Sequence, residues 1–263
     1  MHFIKILKKY IHHYFKAHNR KGFGIHSPFV FSLVTNVFNK KYNCSRCKDI
    51  EKERKKLLQN KNTINVIDLG TGSKKLPGPV KKISDIAKYS LKPKKQARLL
   101  ASVIEYFEVK NVLELGTSLG ITTSYFALSK NKPKVITLEG CPEISNIAKN
   151  TFDNLNIKNI ELITGEFGNT LHETRNLLKK VDFVFFDGNH NYKSTLQYYK
   201  QCLNFKHNNT IFVFDDIHLT DDMEKAWNEI KSDNNVTVTI DMFFFGIVFF
   251  KKELYKQNFL IRQ

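Results

Sequence analysis

The sequence predicts an α/β fold in which a seven-stranded, mostly parallel sheet ends in an antiparallel hairpin and carries an N-terminal helical extension. Three observations predict it. From Lys110 onward, short runs rich in Val, Ile and Phe alternate with amphipathic segments of about ten to fifteen residues, the pattern of βαβ units. Asn111-Val-Leu-Glu-Leu-Gly-Thr-Ser-Leu-Gly-Ile-Thr122 reads as a strand, a glycine-bearing turn and the first turn of a helix. The last two apolar runs, 236–240 and 244–250, are separated only by Asp241-Met242-Phe243, too short for a helical crossover, so they should pair as a hairpin.

In order along the chain, Phe3, Ile4, Leu7, Ile11, Tyr14 and Phe15 recur at helical spacing with Lys5, Lys8, Lys9 and Lys16 among them, an amphipathic basic helix. Such a helix packs on its own domain or lies on an anionic membrane surface. Ser27 can cap and Pro28 can open a second helix reaching about residue 38. Residues 40–62 are charged and read as a helix or a connector, and 82–107 as helical. The strands of the sheet are expected near 111–115, 134–139, 159–163, 181–187, 210–215, 236–240 and 244–250. Residues 1–96 are thereby expected to form the helical extension and a lid, and 97–263 the ligand-binding α/β domain.

Composition narrows the class. The hydrophobic fraction of 41% over 263 residues is ordinary for a globular chain with a buried core. No apolar run is long enough to span a bilayer and the N-terminus lacks the pattern of a signal peptide, so a cytoplasmic location is expected. The net charge of +17 raises a nucleic-acid partner, but the cations are 36 Lys against 6 Arg, whereas bidentate recognition of phosphates and bases favours Arg. A solvated lysine surface is the simpler reading. Cys44 and Cys47 form a single C-x-x-C with no second ligand pair at zinc spacing, so the four cysteines read as reduced thiols.

Gly116 and Gly120 allow close approach of a ligand at the carboxyl end of the first strand, where open α/β sheets bind ligands. Their G-x-x-x-G spacing differs from the G-x-G-x-x-G of dinucleotide sites, and Glu114 just before them would repel a pyrophosphate. A carboxylate there suits a ligand carrying an ammonium and a sulfonium. Thr117, Ser118 and Thr122 line the same turn. Glu139, followed by Gly140, ends the second strand and is placed to accept from two ribose hydroxyls. A competing glycine stretch, Ile64-Asn-Val-Ile-Asp-Leu-Gly-Thr-Gly-Ser73, is followed by Lys74-Lys-Leu-Pro-Gly-Pro79, which cannot open a helix directly; it reads as a turn or hairpin ahead of the domain.

Five alternating βα units closed by a hairpin, together with the segment 111–122, resemble the class I S-adenosylmethionine-dependent methyltransferases, a Rossmann-like fold, and among them the catechol O-methyltransferase-like enzymes. The resemblance covers about residues 97–250. It implies S-adenosylmethionine as cofactor, with Gly165, Glu166 and Phe167 after the third strand near its adenine. The fourth strand ends in Asp187-Gly-Asn-His190 and the fifth in Asp215-Asp216-Ile-His218. Three clustered carboxylates repel unless a proton or cation is shared, and oxygen ligands suit Mg²⁺ or Ca²⁺. The resemblance puts Asp187 and Asp215 on metal-ligand positions, with Asp187 also beside the cofactor, and puts Asp216 where the family has Asn. His190, at the position of the family's catalytic Lys, is the expected base for an acceptor hydroxyl, with a turn cap as its structural alternative. His218 is either a second base or a partner of Asp216. The expected activity is methyl transfer to a small-molecule hydroxyl; a nucleic-acid methyltransferase or a non-catalytic nucleotide-binding protein is the weaker alternative.

Overall fold

The computed structural model describes residues 2–18, 21–42, 44–67 and 76–262. These form two compact units, one of residues 1–41 with 182–263 and the other of residues 42–181. The helices at 2–16 and 28–38 belong to the same unit as the C-terminal strands, and residues 44–67 and 76–96 to the same unit as the first strands of the α/β region. The glycine stretch at 68–73 lies outside the described residues.

The N-terminal part of the first unit contains helix α1 (His2–Lys16) and helix α2 (Pro28–Leu33), which continues as a single π-turn over Val34–Phe38. Ser27 caps α2 through its hydroxyl, which accepts from the Val30 amide, and Pro28 occupies the first turn where its missing N–H costs nothing.

In the second unit, helix α3 (Cys47–Gln59) precedes strand β1 (Thr63–Asn65), which pairs antiparallel with β2 (Val80–Lys82) in a ladder of its own. Ile64 therefore lies in an antiparallel pair and not among the parallel strands. Helices α4 (Ile83–Ser90) and α5 (Lys94–Tyr106) follow, broken at Leu91-Lys92-Pro93 because proline disfavours a helical residue before it. Strand β3 (Asn111–Leu115), helix α6 (Ile121–Ala127), strand β4 (Lys134–Glu139), helix α7 (Pro142–Asn154), strand β5 (Ile160–Thr164) and helix α8 (Phe167–Leu177) are the expected βαβ alternation. The three strands are parallel in the order β3-β4-β5.

The C-terminal part of the first unit holds strand β6 (Phe183–Phe186), helix α9 (Tyr192–Cys202), strand β7 (Ile211–Asp215), helix α10 (Asp221–Ser232), strand β8 (Val238–Asp241), strand β9 (Phe245–Phe249) and strand β10 (Gln257–Leu260). Strands β6 and β7 are parallel, β9 runs antiparallel between β7 and β8, and the β8–β9 hairpin has the expected direction. Strand β10 is an eighth strand that the hydrophobic pattern does not announce; it pairs parallel with β8, and its short Gln-Asn-Phe-Leu run shows no strong apolar alternation.

Phenylalanine builds the core of this unit. Phe183, Phe185, Phe212, Phe214, Phe245 and Phe249 are fully buried, Phe186 stacks on Phe214 at 4.3 Å, and Trp227 of α10 closes the layer from one side. Each such ring contributes about 2–3 kcal/mol by leaving water. Gly246 is the space Trp227 needs: a Cβ there would lie 2.7 Å from the indole. Among the described residues, no helix is long and apolar enough to cross a membrane.

Candidate active site

The turn after β3 is built by residues that the sequence brings together over short distances. Gly116 adopts φ 106° and Gly120 φ 80°, conformations that favour glycine, and Gly120 opens α6. A Cβ on Gly120 would meet the Phe152 ring at 2.6 Å, so α6 and α7 can pack closely only over a glycine. The Gly116 and Thr117 amides both donate to the Leu138 carbonyl, which ties the turn to the end of β4.

Glu139 braces this turn. Its carboxylate accepts from the Ser118 amide at 2.9 Å and from the Cys141 amide at 3.0 Å, while the Glu139 carbonyl accepts from the Gly165 amide after β5. Ser118 has φ 49°, and its hydroxyl lies 2.8 Å from that of Ser90. Gly140 is half-buried in the bend after β4.

Glu114 is placed differently from the expected ammonium contact. It is wholly buried, and one carboxylate oxygen accepts from the Thr123 hydroxyl at 2.5 Å and the Thr137 hydroxyl at 2.7 Å. A hydroxyl has one hydrogen to give, so Thr117, 2.6 Å from Thr137, donates to it and completes a chain Thr117–Thr137–Glu114. Glu114 and Thr117 thus stiffen the glycine turn from inside, and Thr122 is buried in the first turn of α6.

After β5, Gly165 has φ 154°, and Glu166 caps α8 by accepting from the Asn169 amide at 3.1 Å. Phe167, half-buried, is the first residue of that helix.

A second set of side chains stands at the strand ends of the other unit. Asp187, His190 and Asp215 each offer a ligand atom within 4.8 Å of the others. His190 Nε2 lies 3.6 Å from an Asp187 oxygen, an ion-pair distance. Burial works to lower the pKa of His190, but the Asp187 contact and the negative charges of Asp187, Asp215 and Asp216 outweigh it, and the net shift is upward. Asn191, not His190, caps α9, accepting from the Ser194 amide, so the turn-cap role does not occupy the imidazole.

The sequence led us to expect Asp216 as the third member of this group, and the structure puts His190 there instead. Asp216 adopts φ 53°, its amide donates to the Phe244 carbonyl and its carbonyl accepts from the Leu219 amide, while Asp215 ends β7 at 1% exposure. Two carboxylates and an imidazole at such separations are a donor set that fits a divalent cation.

His218 does not pair with Asp216 either. Its two ring nitrogens lie 2.9 Å from Glu224 and 2.8 Å from Asp241, and its ring stacks on Phe243. Asp241, buried at the end of β8, also receives Trp227 Nε1 at 3.1 Å and the Phe243 amide, and His13 of α1 lies 3.1 Å from its other oxygen. Desolvation would raise the pKa of Asp241, but these hydrogen bonds and the His218 charge hold it well below the usual carboxylate range. The sequence carried a signal for this cluster, since Asp241 ends an apolar strand just as Asp187 and Asp215 do; its partners are far away in the chain.

Residues 113–217 match the family model described as a methyltransferase domain. No curated protein sequence matches the chain significantly. Among solved structures, an S-adenosylhomocysteine-bound methyltransferase of Podospora anserina superposes with a TM-score of 0.55 at 18% identity, over 63% of this chain and 82% of that one. An O-methyltransferase of Streptomyces achromogenes involved in tomaymycin synthesis, in complex with S-adenosylmethionine, gives 0.54 at 17% identity, over 62% and 82%. An O-methyltransferase of Bacillus cereus in complex with S-adenosylhomocysteine gives 0.55 at 18%, over 84% of this chain and 97% of that one. With the parallel strands, the reversed β9 and the glycine turn at the end of β3, the chain has the Rossmann-like fold of these methyltransferases, and its residues 113–217 match a methyltransferase domain.

Proposed function

We propose that the protein transfers the methyl group of S-adenosylmethionine to a hydroxyl oxygen of a small molecule, with His190 accepting the proton. The observation that carries this reading is the imidazole of His190 held against Asp187 beside Asp215 at the ends of β6 and β7. The acceptor oxygen attacks the methyl carbon as the carbon–sulfur bond breaks. The products are a methyl ether, S-adenosylhomocysteine and a proton on His190. Asp187 keeps the ring oriented and favours the imidazolium that forms. Positioning supplies much of the rate, because no covalent enzyme intermediate is needed.

For the cofactor, a carboxylate carries about four lone-pair sites, so Glu139 can take two ribose hydroxyls besides the Ser118 and Cys141 amides. The amides and carbonyls of 116–120 are the proposed neighbours of its amino-acid end, and Gly165, Glu166 and Phe167 of its adenine. Glu114 supports this surface from beneath.

The grouping of ligand atoms within 4.8 Å favours a second reading of the same residues. Asp187, His190 and Asp215 would hold a divalent cation, which when bound would polarise the acceptor hydroxyl and ease its deprotonation. In that reading the imidazole positions instead of accepting the proton.

Titration of the purified protein with S-adenosylhomocysteine, with and without Mg²⁺, tests the proposal alongside Glu139→Ala. Micromolar binding that the variant loses is the expected result, and enhancement by Mg²⁺ would favour the cation. Absence of binding in every condition would overturn the cofactor assignment and the function with it.

A further inference from the structure

Helix α1 has two faces that do opposite things. One is anchored: Lys9 pairs with Asp221 and Glu224 of α10, His13 reaches Asp241, and Tyr10 packs edge-on against Phe243 at 5.0 Å. The other is apolar and open to solvent. Ile4, Leu7, Ile11 and Phe15, at spacings of three and four residues, are 57%, 44%, 46% and 77% exposed, and Tyr14 is 40% exposed beside them. Isolated exposed apolar residues need no explanation, but a continuous stripe along about three turns does. Lys8, His12 and Lys16 follow each other at i, i+4 spacing along one border of this stripe and are all exposed.

We propose that this face of α1 is a docking surface for an anionic lipid bilayer, lying in the plane of the headgroups with the apolar stripe among the acyl chains. Charge complementarity selects this occupant. The lysine border and a chain of net charge +17 attract a negatively charged surface, and the apolar stripe supplies the burial that holds the helix there. A second copy of the chain is disfavoured by the same charges. A twofold pairing of this face would set the Lys8–Lys16 border of one copy beside that of the other, between two bodies of like charge. The anchoring through Lys9 and His13 leaves the stripe facing outward without any rearrangement of the unit that carries it.

Cosedimentation of the full chain with phosphatidylcholine vesicles, and with vesicles of phosphatidylcholine and phosphatidylglycerol in equal parts, tests the proposal. Wild type should partition onto the anionic vesicles and much less onto the neutral ones, with partitioning falling at high salt. The pair Ile11→Glu and Phe15→Glu removes apolar insertion, and the pair Lys8→Glu and Lys16→Glu reverses the border. Each should weaken partitioning by at least roughly tenfold. All these side chains are exposed, so far-UV circular dichroism should stay unchanged; if the apolar pair misfolds, the lysine pair alone decides. No partitioning of the wild type onto anionic vesicles, or equal partitioning of the variants, overturns the proposal. So does a dimer in light scattering that Phe15→Glu dissociates, which would give the face to a second copy.

Discussion

In the unit of residues 42–181, the carboxylates at the glycine turn are held by neutral donors, whereas in the unit of 1–41 and 182–263 the carboxylates Asp187 and Asp241 face imidazoles. Glu139 is braced by two backbone amides and Glu114 by two threonine hydroxyls. Asp187 faces His190, and Asp241 lies between His13 and His218. Neither amides nor hydroxyls titrate near neutral pH, so the glycine turn is formed in the same way across that range. In the other unit the carboxylates beside His190 and His218 raise the pKa of these imidazoles, so there the partners themselves are titratable. In the proposed function the first arrangement would hold a charged cofactor unchanged through every turnover, and the second would accept and release a proton.

The largest effect expected from this contrast is on catalysis. His190→Gln should lower methyl transfer to a panel of phenolic and catechol acceptors by roughly 10²- to 10⁴-fold. It should leave the affinity for S-adenosylhomocysteine unchanged in calorimetry. A comparable loss of affinity would show that the two sets of carboxylates do not divide the work as described.

Next in size is Asp241→Asn. This replaces a buried carboxylate that serves two histidines and the Trp227 indole, and the expected cost is about 3 kcal/mol in urea unfolding. Gly120→Ala follows, at about 2 kcal/mol, because φ 80° is unfavourable for alanine and the methyl would press on Phe152. Unlike Asp241→Asn, it should also weaken binding of S-adenosylhomocysteine, since it distorts the turn.

The smallest effect is a pH slope in stability. Burial opposes protonation of His218, but its bonds to Asp241 and Glu224 raise its pKa above the ordinary 6.5. Its contribution is therefore complete below 6.5 and is lost as pH rises through the raised value. Asp241, with its pKa lowered, contributes fully above its ordinary 3.8 and loses this as the pH falls toward the lowered value. Unfolding free energy should thus be highest between these limits and decline toward alkaline pH, and Asp241→Asn should flatten the decline. An unchanged slope in that variant would remove His218 as its source.

Much of this architecture is legible in the chain. The strands from β3 to β9 lie within a few residues of their expected places because buried parallel strands are continuous Val, Ile and Phe runs, such as Phe183–Phe186 and Ile211–Asp215. Ser27 and Pro28 announce α2, and the glycine spacing announces the turn before α6. Strand β10 was not legible, because Gln257-Asn-Phe-Leu260 is a strand only through its ladder with β8. At the sites, Asp187, His190 and Asp215 could be placed at strand ends, but the letters could not say that His190, and not Asp216, brings a ligand atom within 4.8 Å of both Asp187 and Asp215. Glu114 shows the same limit: its position beside the glycines suggested a ligand contact, and its burial with Thr123 and Thr137 makes it an internal brace.

The sequence by itself determined where strands end, where helices start and which backbone positions need glycine. These depend on periodicity, capping and φ, which act over a few neighbouring residues. Only the tertiary structure decided the partners of the charged side chains. His13 reaches Asp241 across 228 positions, and residues 44–67 and 76–96 belong to the same compact unit as β3 to β5. A hydrogen bond or a buried charge is stabilised by whatever the fold brings within about 3 Å, and that neighbour is set by packing, not by spacing in the chain.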